Sequence, residues 1–124
     1  MKLKTFISVI ILTGCSSMNA YQNHMTKKDI EGYAIASCFT YQESPYLKDQ
    51  GDAWASVIVQ RMKGSIDILP EIAEIIKDEV NKGEMVVVQS ESINAQDKTL
   101  PVLYCNEIIY KPHVQSALKK LQTK

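Results

Sequence analysis

Three cysteines, two histidines and a row of carboxylates are the side chains in this 124-residue chain best suited to chemistry. A free thiol beside a histidine would make a hydrolytic nucleophile. Thiols, imidazoles and carboxylates at short spacing would make a zinc site. His24 and His113 have no Cys, His or carboxylate partner at metal-ligand spacing. A glycine-rich phosphate loop and a Gly-x-Ser-x-Gly elbow are both missing. Glu71, Glu74 and Asp78 share one helical face and could be read as acid/base groups, although a solvated helix face is the commoner explanation. No metal and no cofactor is expected, and these residues favour a binding protein over an enzyme.

The context of the first cysteine is specific. The chain opens with Lys2 and Lys4, runs through apolar Phe6 to Leu12, and reaches Leu12-Thr13-Gly14-Cys15. Basic residues, a short apolar stretch and small residues are the layout of an export signal. The stretch is about half of the roughly 20 residues that span a bilayer. Leu12 to Cys15 resembles the lipobox of bacterial lipoproteins, which implies cleavage before Cys15 and a diacylglyceryl group, palmitate among its acyl chains, on that thiol. Two or more acyl chains anchor a protein stably where one does not. Ser16, in place of Asp, favours the outer membrane, facing the periplasm. The alternative is an ordinary secretory signal with a chance cysteine.

Removing residues 1–14 of 124 leaves 110, enough for one small domain. The signal takes two of the 14 basic residues, leaving 12 against 14 acidic ones. That balance argues against nucleic acid as a partner, since phosphate binding needs a clustered basic face. With Cys15 lipidated, Cys38 and Cys105 remain in a compartment where disulfides persist, and they are expected to pair. Closing a loop of roughly 68 residues would stabilise the fold by about 4 kcal/mol. The alternative is two buried free thiols.

These residues need elements to hold them. Residues 15–25 are polar and suit a tether, and a helical domain follows over 26–124. Thr26 reads as an N-cap, with Ile30, Ala34, Cys38 and Tyr41 on one face of a first helix. After a break at Gln42 to Pro45, a second helix is predicted from Leu47 to Lys63, stopped at Gly64, with Leu47, Gly51, Trp54, Ile58 and Met62 on one stripe. A third starts near Pro70, buries Leu69, Ile72, Ala73, Ile76 and Val80, and closes at Gly83. Met85 to Val88 has strand propensity but no obvious second strand, so it reads as an extended segment leading into a polar loop, Gln89 to Lys98. A fourth helix over Leu100 to Tyr110 carries Cys105 and Ile109. A fifth follows Pro112 with Val114, Ala117, Leu118 and Leu121 inward. The expected fold is all-α: a small disulfide-linked bundle of four to five helices with one long loop.

Several short motifs carry a likeness in order and spacing. They are Tyr33 to Cys38, Asp52-Ala53-Trp54-Ala55, Leu69-Pro70, Leu103 to Ile108 and Leu118 to Leu121. Over residues 27–121 the chain resembles the immunity proteins that neutralise peptidoglycan amidase effectors of the type VI secretion system. The resemblance implies a helical domain with a disulfide at Cys38 and Cys105. It implies a homodimer that binds a cognate papain-like amidase and blocks its groove sterically with helices and a protruding loop. Met85 to Val88 and the loop after it are less typical of that family, and lipidation is not universal in it. Glu91, Ser92, Ile93 and Asn94 in the loop are candidate partner-binding residues, with Glu71, Glu74 and Asp78 as a second set. A solvated connector is the plainer reading of the loop. From a different class, a structural or assembly lipoprotein of the envelope would use the same anchor and bundle. A lipoprotein inhibitor of another hydrolase would more often need a β-rich scaffold.

Overall fold

Residues 25–62, 66–93 and 96–124 are described by a computed structural model. Cys15, the tether up to His24, Gly64 and Asn94 lie outside the described residues. The element order is α1 (Lys27–Thr40), α2 (Pro45–Arg61), α3 (Leu69–Val80), β1 (Val87–Val88), β2 (Lys98–Thr99), α4 (Pro101–Ile108) and α5 (Pro112–Gln122). The protein is a small, mostly helical, disulfide-linked bundle.

Helix α1 is central and touches all four other helices. Thr26 starts it as expected: its hydroxyl accepts from the Asp29 N–H at 3.1 Å and donates to the Asp29 carboxylate at 2.8 Å, satisfying a free helix-end donor. Met25, assigned by sequence to the end of the tether, is instead buried and joins the core. Small residues let the neighbours of α1 approach closely. A Cβ on Gly51 of α2 would lie 2.6 Å from the Ala36 carbonyl oxygen and 2.9 Å from Phe39 Cβ. The crossing of α1 and α2 therefore depends on that missing side chain.

Helix α2 begins earlier than Leu47. Ser44 accepts from the Leu47 N–H at 3.4 Å and Pro45 occupies the first turn, where a proline loses no helical hydrogen bond. Leu47, Gly51 and Ile58 are buried, whereas Trp54 stands at the surface with 37% of its area exposed. In α3, Leu69, Ile72 and Ile76 are buried as expected and Ala73 and Val80 are half-buried. The chain leaves α3 through Gly83 at φ +73°, a left-handed conformation that suits glycine after a helix end.

The expectation of an unpaired extended segment is corrected. Val87 and Val88 pair antiparallel with Thr99 and Lys98, and the Leu100 N–H continues the ladder to the Val86 carbonyl at 2.9 Å. The partner strand was overlooked because it is two residues long and one of them is lysine. Short, exposed strands such as these carry no alternating apolar pattern.

Cys38 of α1 and Cys105 of α4 form a disulfide, with Cα atoms 5.5 Å apart. The sulfurs sit in an apolar centre with Ile58, Ile72, Ile76 and Ile108, all without solvent exposure. Val114, Leu118 and Leu121 of α5 close it from the other side. No helix among the described residues is long and apolar enough to cross a membrane.

Candidate protein interface

Both thiols of the described residues are consumed in the bridge, and the buried Gln42 amide packs over it. Its Nε2 donates to the Cys38 carbonyl at 2.9 Å and lies 3.6 and 3.5 Å from the two sulfurs. Among the described residues no group of three or more His, Cys, Asp or Glu side chains could hold a metal ion.

His113 instead belongs to a charged cluster centred on Glu79. Glu79 is only 2% exposed and lies on the inner stripe of α3. Lys111 Nζ reaches its Oε1 at 2.6 Å, and Lys82 Nζ and His113 Nε2 reach its Oε2 at 2.6 and 2.5 Å. Lys111 also reaches Glu84 at 2.5 Å. Burial opposes ionisation of Glu79, but the hydrogen bonds from Lys111, Lys82 and His113 outweigh it and hold the carboxyl at about 2. The hydrogen bonds to Glu79 and Glu84 push Lys111 well above the ordinary lysine range. A buried carboxylate with several donors is satisfied rather than reactive.

The anticipated contact residues fall into two separate groups. Glu71, Glu74 and Asp78 lie exposed on the outer face of α3. Glu71 pairs with Lys124 at 2.7 Å and Glu74 with Lys77 at 3.7 Å. Glu91, Ser92 and Ile93 occupy the turn of the β1–β2 hairpin, and Ile93 is fully exposed. The Ser90 N–H donates to the Asp97 carboxylate at 3.1 Å, and the Ser92 N–H donates to Ser90 Oγ at 3.3 Å. Those bonds brace the turn from inside. No hydrogen bond or ion pair among the described residues joins the two groups.

An apolar groove of about 600 Å³ lies alongside the hairpin. Ile35 and Phe39 of α1 and Trp54 of α2 form one wall, and Thr99 to Leu103 form the other. Phe39 and Trp54 meet edge to face with ring centroids 6.1 Å apart, which props the indole open toward solvent. Val102 and Leu103 are 54% and 40% exposed. An exposed indole among aliphatic side chains is the composition of the centre of a protein–protein contact. Aligned apolar residues of this kind on a small protein mark an interaction surface.

Sequence reasoning missed the groove and the Glu79 cluster. Trp54 falls on the inward stripe with Leu47, Gly51 and Ile58, so periodicity alone buries it. Glu79 could have been found: it follows Leu69, Ile72 and Ile76 at the same helical spacing, and a charge on an apolar stripe needs a partner. No protein-family model, curated protein or solved structure matches the chain.

Proposed function

We propose that this protein is an immunity lipoprotein of the periplasm that binds and sterically inhibits a type VI secretion peptidoglycan amidase effector, protecting the producing cell and its kin. The observation that carries the reading is the apolar groove containing Trp54, Val102 and Leu103, bordered by a braced hairpin whose Ile93 is held in solvent. A steric inhibitor needs both parts: an apolar surface to seat the enzyme and a projecting turn to fill its cleft. The sequence likeness and the lipobox at Cys15 add the compartment and the class of partner.

In this reading the protein has no catalytic residues of its own. Trp54 and Leu103 seat the amidase, Glu91, Ser92, Ile93 and Asn94 approach its catalytic groove, and Glu71, Glu74 and Asp78 steer a basic surface during encounter. Acylated Cys15 keeps the protein at the membrane, in the outer membrane by the Ser16 criterion, and the active form is a homodimer.

The test uses the amidase encoded by the adjoining reading frame and follows cleavage of peptidoglycan stems. The protein should abolish cleavage at equimolar ratio. Trp54→Ala, and replacement of residues 91–97 by a brief Gly/Ser link, should each weaken binding by more than about 1 kcal/mol, with thermal unfolding measured on the same samples. Unimpaired cleavage in the presence of the folded protein would remove the immunity reading and return an assembly role in the envelope.

A further inference from the structure

The hairpin is joined to the bundle by a short stretch, and one ion pair determines how it leaves. After α3 the chain turns at Gly83, a residue whose added Cβ would meet nothing within 4 Å. The turn is therefore open, and local packing does not aim it. Three residues separate Glu84 from β1. Within that stretch Met85 and Val86 rest against the core, and Leu100 closes the base of the hairpin by donating to Val86. On the solvent side, Glu84 is held by Lys111 alone, at 2.5 Å. Lys111 is in turn fixed by Glu79 at 2.6 Å, and Glu79 is immobilised by burial and by Lys82 and His113. Lys111 sits at the junction of α4 and α5, so this one ammonium ties the root of the hairpin to the far end of the bundle. Its side chain is only 26% exposed, against 63% for Glu84, so the lysine is the fixed member of the pair.

We propose that Lys111 is a positioning residue for the partner-binding hairpin, bridging buried Glu79 to Glu84 and so setting the direction in which β1 leaves α3. This inference rests on the proposed role of the hairpin in inhibition. A hairpin free to swing at Gly83 would occupy its binding geometry for only part of the time, and apparent affinity falls by that fraction. A partly exposed pair such as Lys111–Glu84 shifts such an equilibrium about two- to fivefold.

Glu84→Gln is the discriminating variant, because it cuts the outer arm and leaves the Glu79–Lys111 contact intact. Amide hydrogen exchange on the mature chain reads the hairpin directly, at Leu100. Equilibrium binding to the amidase of the adjoining reading frame reads the consequence. Glu84→Gln should speed exchange at Leu100 and weaken binding by the same two- to fivefold factor, with the thermal midpoint and exchange in α1 unchanged. Lys111→Met should do the same and lower the midpoint as well, since it also strands Glu79. Lys111→Arg, whose guanidinium can span two carboxylates, should restore both exchange and binding. Unchanged Leu100 exchange in Glu84→Gln overturns the positioning role, as does faster exchange spread evenly over α3 and α5. Faster Leu100 exchange with unaltered affinity leaves the positioning intact and removes the hairpin from the inhibitory surface.

Discussion

Replacing Glu79 by glutamine keeps the shape of the side chain and removes its charge, so it isolates what the buried carboxylate contributes. The group moves from an ordinary value of 4.5 to about 2 in the folded protein. At about 1.4 kcal/mol for each tenfold change in acidity, that displacement is worth about 3 kcal/mol to the folded state. Lys82 and His113 are half or more exposed, at 50% and 58%, so water screens their share and Lys111 carries most of the effect. The sign is fixed by the direction of the shift. A carboxyl with a depressed folded value stabilises the protein fully above 4.5, and that contribution disappears as pH falls toward 2. Urea unfolding of the wild-type protein and Glu79→Gln should therefore differ by about 3 kcal/mol at pH 7, progressively less below pH 4.5, and negligibly near pH 2. A difference of the same size at pH 7 and pH 2 would show that glutamine merely packs badly. No difference at pH 7 would mean that the burial cost of the carboxylate cancels its ion pairs, as happens in some buried clusters.

Reduction of Cys38–Cys105 should lower unfolding free energy by about 4 kcal/mol in the chain-entropy account of a closure this long, and denatured chains should show no reactive thiol at these two positions until reductant is added. Gly51→Ala should destabilise by about 1–3 kcal/mol, because the new methyl meets the Ala36 carbonyl oxygen at 2.6 Å and backbone cannot move aside; circular dichroism melts read this directly. Cys15→Ser should leave an uncleaved, unacylated precursor, seen as a mass increase equal to the signal peptide with no acyl chains; a matured, detergent-partitioning mutant would refute the lipobox reading.

The helices were legible because each is written twice, in an apolar period and in a start signal. Thr26 and Pro70 show this for α1 and α3, as does Pro112 for α5. The cysteine pair was legible from compartment and number. What escaped the sequence depends on contacts between distant residues. Glu79 and Lys111 are 32 positions apart, and nothing local to either identifies the other. Lys98 and Thr99 pair with two valines across a turn, and their own pattern is that of a loop. Trp54 shows the opposite failure: its period is correct, but Phe39 fills the space beneath it and leaves the ring at the surface. A candidate interface of this kind arises where a buried period outruns the room available, and that is a property of packing rather than of pattern.

The disulfide also changes what a cut in the chain can do. Cys38 and Cys105 lie 67 positions apart, and α2, α3 and the whole hairpin fall between them, so this part of the protein is a covalent ring. A protease that severs the hairpin turn between Ser90 and Asp97 opens the ring without releasing either piece. The two halves would migrate as one molecule until reductant is added. The most exposed segment of the protein is thus also one where a single break cannot divide it.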